Sequence, residues 1–579
     1  MVTYYVASAA HGGSDSNSGT STGSPWATVA KVNAATLTAG SSVFFNGGDT
    51  WTGTALAPTA NGTSGSPITF SSYGTGHATI ANTAAGNSIY LNGVGGYVIS
   101  NLILTGPGGA TAGAGVWFES TMGTQLAPVT ITGCTASNYS VGLLGIADAA
   151  GDGFSALTIT NNTLTGNVYQ GLSVSGPTPT PGTPIYNFPS VTISGNTVYN
   201  NLGSTSVTVT STGYGMFLGN FTGGTVSGNM IYGNGSQNGG TGGGPSGICL
   251  GFSTGTVVSG NTVYNQATGT GSAQQDGEGI DLDLECVNCV VEYNIVYGCQ
   301  AAGLFAFSDD AYWSGNVYRY NMLWGNAQGY AAGAFGEITL FTGGAGQNLA
   351  SMAIYGNTIV SRDNGTIHPP PILINVAGTL SGCTIRNNVL YAQTGPTIVV
   401  DQNWATSALF FQGNCYYGTG TFGLTWNATT YPSLTAWRTA TSQEIYSATN
   451  VGMQSNPLLV APATTPAVTN PSNLAPADGL MLGTGSPATA AGLPLNADFG
   501  TVIGTQDFFG IALTLPQMIG AAQPSGAPAA AAQRPAVVMG RRTAPRRSVV
   551  GNNLQCGDGQ RGPANGLPVI IYYSMRMMP

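Results

Sequence analysis

Charge is what this chain of 579 residues has least of: Lys, Arg, Asp and Glu together make up 6% of it, against roughly 25% in an ordinary soluble domain. Lysine is nearly missing, with Lys31 alone. Disorder is nevertheless excluded, because disordered chains are charged and poor in aromatics, whereas this one is 42% apolar and 9% aromatic. Long apolar runs are absent too. None approaches the ~20 residues of a membrane helix, so no bilayer span is expected. The opening MVTYYVASAAHGGSD lacks a basic stretch followed by an apolar one, so no secretory signal is expected. Cysteine is sparse: eight, scattered, which suits small buried hydrophobes better than a disulfide framework. Cys286 and Cys289 form a lone CxxC with no second pair and no neighbouring His, a weak zinc signal. The three histidines, His11, His77 and His368, sit in separate Gly- or Pro-rich turns, too dispersed for a triad. Asp15 and Asn17 in GSDSNSGT read as turn residues. Glycine is abundant at 89 residues but follows no three-residue period, which excludes collagen.

The few charges are spread unevenly. Residues 1–533 hold five basic side chains (Lys31, Arg319, Arg362, Arg386, Arg438) and 20 acidic ones, a net of −15. Residues 534–579 hold seven Arg and one Asp, a net of +6. A body without basic surface is not expected to grip nucleic acid.

What the chain does have is a repeat. NLIL at Asn101 is followed by NTLT at Asn162, NTVY at Asn196, NMIY at Asn229 and NTVY at Asn261. NIVY at Asn294, NMLW at Asn321, NTIV at Asn357 and NVLY at Asn388 continue it, and Cys134 in ITGCTAS fills the gap between the first two. The spacings run from 27 to 36 residues. Units rich in Thr, Val, Ile, Tyr and Gly and poor in Ala-Leu-Glu-Lys runs are strand-and-turn material rather than helical repeats. Stacking them makes a parallel β-helix, each strand pairing with its equivalent one coil on at ~4.8 Å, so that nine intervals extend roughly 43 Å. Asn tolerates a left-handed turn, and its amide offers both donor and acceptor for a hydrogen-bonded stack. Ile103, Leu164, Val198, Ile231, Val263, Val296, Leu323, Ile359 and Leu390, two residues after each Asn, are expected to face the interior. Tyr199, Tyr232, Tyr264, Tyr297, Trp324 and Tyr391, one further on, are expected outside, as a mutual stack or a sugar platform.

On these segments, and on the start YYVAS…GSPWATVAKVNAATLTAGSSVFF with PITFSSYGTGHATI after it, the chain resembles right-handed parallel β-helix proteins of the pectin-lyase-like superfamily. The resemblance covers roughly residues 1–400. It implies an all-β solenoid with an N-terminal capping helix, here over 26–37 with Ser24 as N-cap and Pro25 in the first turn. It is specific for fold and not for function, since the superfamily includes lyases, hydrolases, epimerases, phage tailspikes and adhesins. The expected organisation is a cap over 1–45, a β-helix over 46–400, an irregular C-terminal closing segment over 401–520, and a Pro/Ala-rich linker with a basic tail over 521–579.

Nine of the 21 acidic residues fall between 276 and 337: Asp276, Glu278, Asp281, Asp283, Glu285, Glu292, Asp309, Asp310 and Glu337. Arg319 is the one basic residue in that window. A second recurrent strand starts with Gly and an apolar residue, as in GVWFE at Gly115, GMFLG at Gly215, GIDLD at Gly279 and GLFAF at Gly303. Alternation turns Ile280, Leu282, Leu304 and Ala306 inward and Trp117, Glu119, Phe217, Asp281, Asp283, Phe305 and Phe307 outward, with Asp309 following on the same side. Asp281 and Asp283 would stand roughly 6.5–7 Å apart along a strand, and carboxylates on adjacent coils about 5 Å apart. Those separations bracket the ranges of retaining and inverting glycosidases. Crowding of like charges also raises one carboxyl's pKa, as a general acid requires.

The leading expectation is therefore a polysaccharide-processing protein, a glycoside hydrolase with Asp281, Asp283 and Asp309 as catalytic carboxylates. Trp117, Phe217, Phe305, Phe307, Arg319 and Glu337 would bind substrate. Asp276, Glu278, Glu285 and Asp310 would support the site or hold a metal, for which Ca²⁺ is the candidate. A calcium-dependent polysaccharide lyase would need a proton-abstracting base, and only Arg319 or, more weakly, Tyr293, Tyr297 and Tyr312 offer one. The Gly-His-Gly of polygalacturonases is missing, and Asp309-Asp310 is the one partial match to their paired aspartates. The alternative from another class is a non-catalytic tail fibre, spike, adhesin or surface-array protein, assembled as a homotrimer or higher. Both readings set the protein outside the cell or on a virion.

Overall fold

The computed structural model describes residues 1–240, 244–269, 276–329 and 334–524. The Arg-rich tail and nearly all of the preceding linker lie outside the described residues. Within them the chain is a right-handed parallel β-helix. Two sheets of 14 strands and one of 13 run its length, and successive strands go to successive sheets. One coil shows the pattern: Val257–Ser259 in the first sheet, Thr262–Tyr264 in the second, Ile280–Leu282 in the third. Every coil-to-coil pairing is parallel until the third sheet ends in an antiparallel turn between Leu424–Trp426 and Thr429–Tyr431.

The asparagine repeat sets the register. Leu164, Val198, Ile231, Val263, Val296, Leu323, Ile359 and Leu390 are paired in sequence along the second sheet and are fully buried in the lumen. At Asn229, Nδ2 donates to Asn261 Oδ1 at 2.9 Å and to the Ile193 carbonyl at 3.0 Å. The Asn229 backbone N–H donates to the same Asn261 oxygen, while Asn229 Oδ1 accepts from both nitrogens of Asn196. Each rung thus satisfies a buried amide at about 1 kcal/mol net per hydrogen bond, and an unmet group would cost roughly 1–3 kcal/mol. Tyr199, Tyr232, Tyr264 and Tyr297 stack outside, with centroids 4.8–5.0 Å apart and planes within 8°.

Several details differ from expectation. The left-handed residue is the one before the ladder position (Asn161, Gly195, Gly228, Tyr293), and the ladder asparagines themselves are not left-handed. Asn101 is such a preceding residue, with φ 53°, so Leu102 holds the ladder position. Leu102 and Leu104 therefore face the lumen in place of Ile103. The ladder also runs past Asn388 to Asn414 and ends on Glu444. A second ladder, five residues after the first, joins Asn167, Asn201, Asn234 and Gln266.

Both ends of the lumen are closed, the N-terminal one by a shorter helix than expected. The N-terminal helix spans only Val29–Asn33, with Thr28 as N-cap, because Asp15 accepts from Ala27 N and both polar groups of Thr28 and holds the preceding residues extended. Its Val29 and Val32, with Trp26 and Leu37, enter the core. At the other end the helix Leu434–Thr441 places Leu434 and the fully buried Trp437 against Phe411 and Trp426. The remaining chain folds back along the second sheet. There Tyr297 Oη donates to the Val468 carbonyl, Trp324 Nε1 to that of Pro462, and Tyr293 Oη to that of Gln506. The seven described cysteines are all free and buried, and Cys286 and Cys289 donate to lumenal carbonyls. Among the described residues no helix is long and apolar enough to cross a membrane.

Candidate active site on the third sheet

Four strands of the third sheet, Ile248–Gly251, Ile280–Leu282, Leu304–Ser308 and Ile338–Thr342, build the site. Ile248, Ile280, Leu304 and Ile338 align in the lumen, as do Leu250, Leu282, Ala306 and Leu340. Side-chain alternation then turns Cys249, Asp281, Phe305 and Thr339 to the outside in one column. Phe217 stands one coil before Cys249. Asp283 leaves the strand end on the same face, and Phe307 pairs with Phe341 beyond it.

Although outward, these acids are shielded from water: Asp281 and Asp283 are each 8% exposed and Glu278 1%. Cys249 Sγ and one carboxylate oxygen each of Asp281 and Asp283 lie within 4.8 Å of one another. The Cys249 thiol donates to Asp283 Oδ2 at 3.8 Å, and the Leu284 N–H donates to Asp283 Oδ1 at 2.8 Å. Asp276 accepts from the Gly244 N–H. Asp281 Oδ1 and Glu278 Oε1 are buried with no hydrogen-bond partner among the described residues. Burial first, then neighbouring carboxylates, pushes Asp281 and Glu278 well above the usual range. Burial raises Asp276 to about 7 against the Gly244 hydrogen bond. Asp283 rises to about 8 through burial, with the charges of Asp309 and Asp276 adding to it against the Leu284 hydrogen bond.

A second acidic group adjoins the first. Glu285 is buried, shares a hydrogen bond with the Asp310 carboxyl and feels the charge of Asp309; burial and these two neighbours raise it to about 8. Asp310 Oδ1 accepts from the Tyr312 N–H at 2.7 Å. Asp309 is the solvent-exposed member, raised to about 6 by partial desolvation and by Asp310. Its charge reaches Asp283, which joins the two groups into one acidic groove. Aromatic rings border it: Tyr214 and the half-buried Phe217 pack edge-on at 5.6 Å on one side, and Phe305, Phe307, Phe335 and Phe341 cluster on the other.

Not every expected residue belongs there. Trp117 is on the same face, but five register steps from Asp281, which is ~24 Å at one coil per step. It packs with Tyr90, Val141 and Leu144. Glu337 is fully buried and takes the Asn326 backbone N–H at 2.9 Å and its Nδ2 at 2.6 Å, so it acts as a ladder rung with no free oxygen for substrate. Arg319 sits on the first sheet, paired with Glu292 at 2.6 Å and donating to the Val502 carbonyl, where it clamps the C-terminal segment. Phe305 and Phe307 are each 5% exposed, which makes them walls behind the groove rather than open platforms. Cys249 and Tyr214 escaped the sequence reading; both occupy sites in the same Gly-led strands, and the one-coil offset to Asp281 was the available signal for Cys249.

The residues fit calcium poorly. Ca²⁺ wants about six to eight oxygens, whereas the tightest donor set holds one thiol and two carboxylates. Glu285 and Asp310 bond to each other and Asp276 to backbone, and Glu278, with one oxygen on the Gly277 N–H, adds a single unmet oxygen, which leaves the set short.

A family model described as a right-handed beta helix region matches residues 152–340. No curated protein matches the chain. Among solved structures, the chain is similar to a GH136 lacto-N-biosidase from Eubacterium ramulus, at 14% identity and TM-score 0.45, covering 65% of this chain and 68% of that one. It is similar to the A-module of a mannuronan C-5 epimerase from Azotobacter vinelandii, at 14% identity and TM-score 0.36, covering 60% and 91%. It is also similar to a pectate lyase, at 14% identity and TM-score 0.35, covering 91% and 97%.

Proposed function

We propose that the chain cleaves a polysaccharide and that it is a glycoside hydrolase working at the acidic groove of the third sheet. The observation that carries this reading is the pairing of two unlike carboxyls on one face: Asp283, buried beside Asp281 and Cys249 and pushed up to about 8, and Asp309, open to solvent and raised less, to about 6. Two carboxyls pushed apart in this way divide the acid and base roles of glycosidic cleavage. Asp283 donates its proton to the glycosidic oxygen. Asp309 meets the developing positive charge at the anomeric carbon, as nucleophile or as base on the attacking water. Asp281, within 4.8 Å of Asp283, is itself raised by burial and by the charge of Asp283, so the pair does not ionise together. Phe217 and Tyr214 offer an apolar wall to a sugar ring. Such a role belongs outside the cell or on a virion surface.

Hydrolysis is favoured over β-elimination because the local cation expected as base, Arg319, is committed on another sheet. A screen of polysaccharides read both for new reducing ends and for unsaturated uronates tests this. The expected result is reducing ends without unsaturation, abolished in Asp283→Asn and Asp309→Asn. Unsaturated products would make it a lyase, and full activity in either variant would remove the groove from the chemistry. No product on any substrate would favour an inert rod.

A further inference from the structure

The turns joining the second sheet to the third carry a feature the hydrolytic groove does not use. A cleft of about 480 Å³ opens there, lined by Gln300, Trp324, Gln328, Arg362 and Asp363, with Gly325 and Gly329 as its bare floor. That volume falls in the range of ligand sites, roughly 300–1,000 Å³. The cleft begins one coil beyond the turn that carries Asp276 and Glu278. The two are contiguous, because a Cβ on Gly277 would lie 3.2 Å from Gln300 Cβ.

Arg362 is what distinguishes it. The guanidinium carbon lies 5.4 Å from the centre of the Trp324 ring, and among the described residues no carboxylate pairs with it. Its neighbour Asp363 is already committed to the Gly365 N–H, the Thr394 hydroxyl and His368 Nδ1, the last at 3.0 Å. Trp324 is immobilised by its own hydrogen bond to the Pro462 carbonyl, so the ring and the guanidinium it supports form a preset surface. Gln300 is likewise held, its Oε1 accepting from the Thr268 N–H at 2.9 Å. In a body of net charge −15 with five cations, this Arg is aromatic-backed, free of a carboxylate partner among the described residues and set in a cleft, which suits it to attract an anion. Guanidinium presents a planar fork that matches carboxylate and sulfate oxygens.

We infer that this cleft is a subsite for an anionic sugar residue of the polymer, a carboxylate- or sulfate-bearing unit held two to three coils along the solenoid from the acidic groove, an offset of roughly 10–14 Å along the axis. The inference rests on the hydrolytic reading for its place along the substrate, but its test does not need turnover. Full-length Asp309→Asn, with and without Arg362→Gln or Arg362→Lys, is applied to an array of neutral, carboxylated and sulfated glycans. The bound glycans are expected to be anionic. Their signal should fall at least tenfold with Arg362→Gln and partly return with Arg362→Lys, whose charge lacks the fork. Binding confined to carboxylated or to sulfated glycans identifies the anion. Neutral binders unaffected by Arg362→Gln, or no binders at all, overturn the subsite. If anionic glycans bind through Arg362 and the wild type cleaves none of them, the subsite stands and the hydrolytic reading fails.

Discussion

Two regions of this molecule bury carboxylic acids, and they do so to different ends. At the C-terminal end of the solenoid, Glu444 is fully buried and accepts from Gly413 N, both nitrogens of Asn414 and the Tyr416 hydroxyl. Glu337 does the same for Asn326. On the outer face of the third sheet, Asp281 and Glu278 are nearly as buried, yet each keeps an oxygen without a partner. Burial raises the pKa in both regions. Burial alone therefore does not mark function; what sets the third sheet apart is that its buried acids crowd one another and keep oxygens unmet among the described residues.

The comparison can be broken at several points. The largest effect is expected at the groove: Asp283→Asn should cut hydrolysis about 10³-fold, while its melting temperature stays level or rises because folding no longer has to protonate a buried acid. Loss of stability without loss of turnover would reverse the assignment. At the solenoid end the balance should invert. Glu444→Ala strands several buried donors and should cost on the order of 3 kcal/mol in denaturant unfolding, with cleavage per folded molecule unchanged.

A smaller effect separates the regions by pH. Catalysis should follow a bell, falling below about pH 6 as Asp309 protonates and above about pH 8 as Asp283 loses its proton. Stability should follow one limb only. A carboxyl whose folded pKa lies above its unfolded value stabilises fully below the unfolded pKa, near 4, and loses that contribution as pH rises through the folded value. Thermal melts should therefore show stability declining between about pH 4 and pH 8, and Asp281→Asn should flatten the decline; a curve that rises with pH would contradict the burial. The smallest effect is expected from chelation, which should leave melting and cleavage unchanged if no calcium is held; a drop reversed by added Ca²⁺ would restore the metal reading.

Much of the fold was legible because the repeat is periodic and its chemistry is unambiguous. Asn196, Asn229 and Asn261 recur where a buried amide must meet its copy, and Val198, Ile231 and Val263 follow at the lumenal position. The slip at Asn101 arose where an Asn turn residue precedes a Leu, and only the register of Ile103 with Thr135 shows which is the rung. The second ladder was present as Asn162/Asn167, Asn196/Asn201 and Asn229/Asn234, a fixed offset of five that went unread. The outward placement of Asp281 and Asp283 followed from strand alternation. Arg319 and Glu337 were misplaced because nearness in sequence was taken for nearness on a face, although a single coil visits three faces. Arg319 aligns with Glu292, 27 residues earlier, on the first sheet.

Sequence by itself determined the coil length, the lumen and the side of the third sheet that carries the acids, since each depends on a period a one-dimensional string displays. Only the tertiary structure decided which acids keep an unmet oxygen, which exchange hydrogen bonds with a rung, and where an arginine stands unpaired beside a tryptophan. Those outcomes depend on partners drawn from neighbouring coils and from the returning C-terminal segment, and the water they exclude sets each proton's affinity.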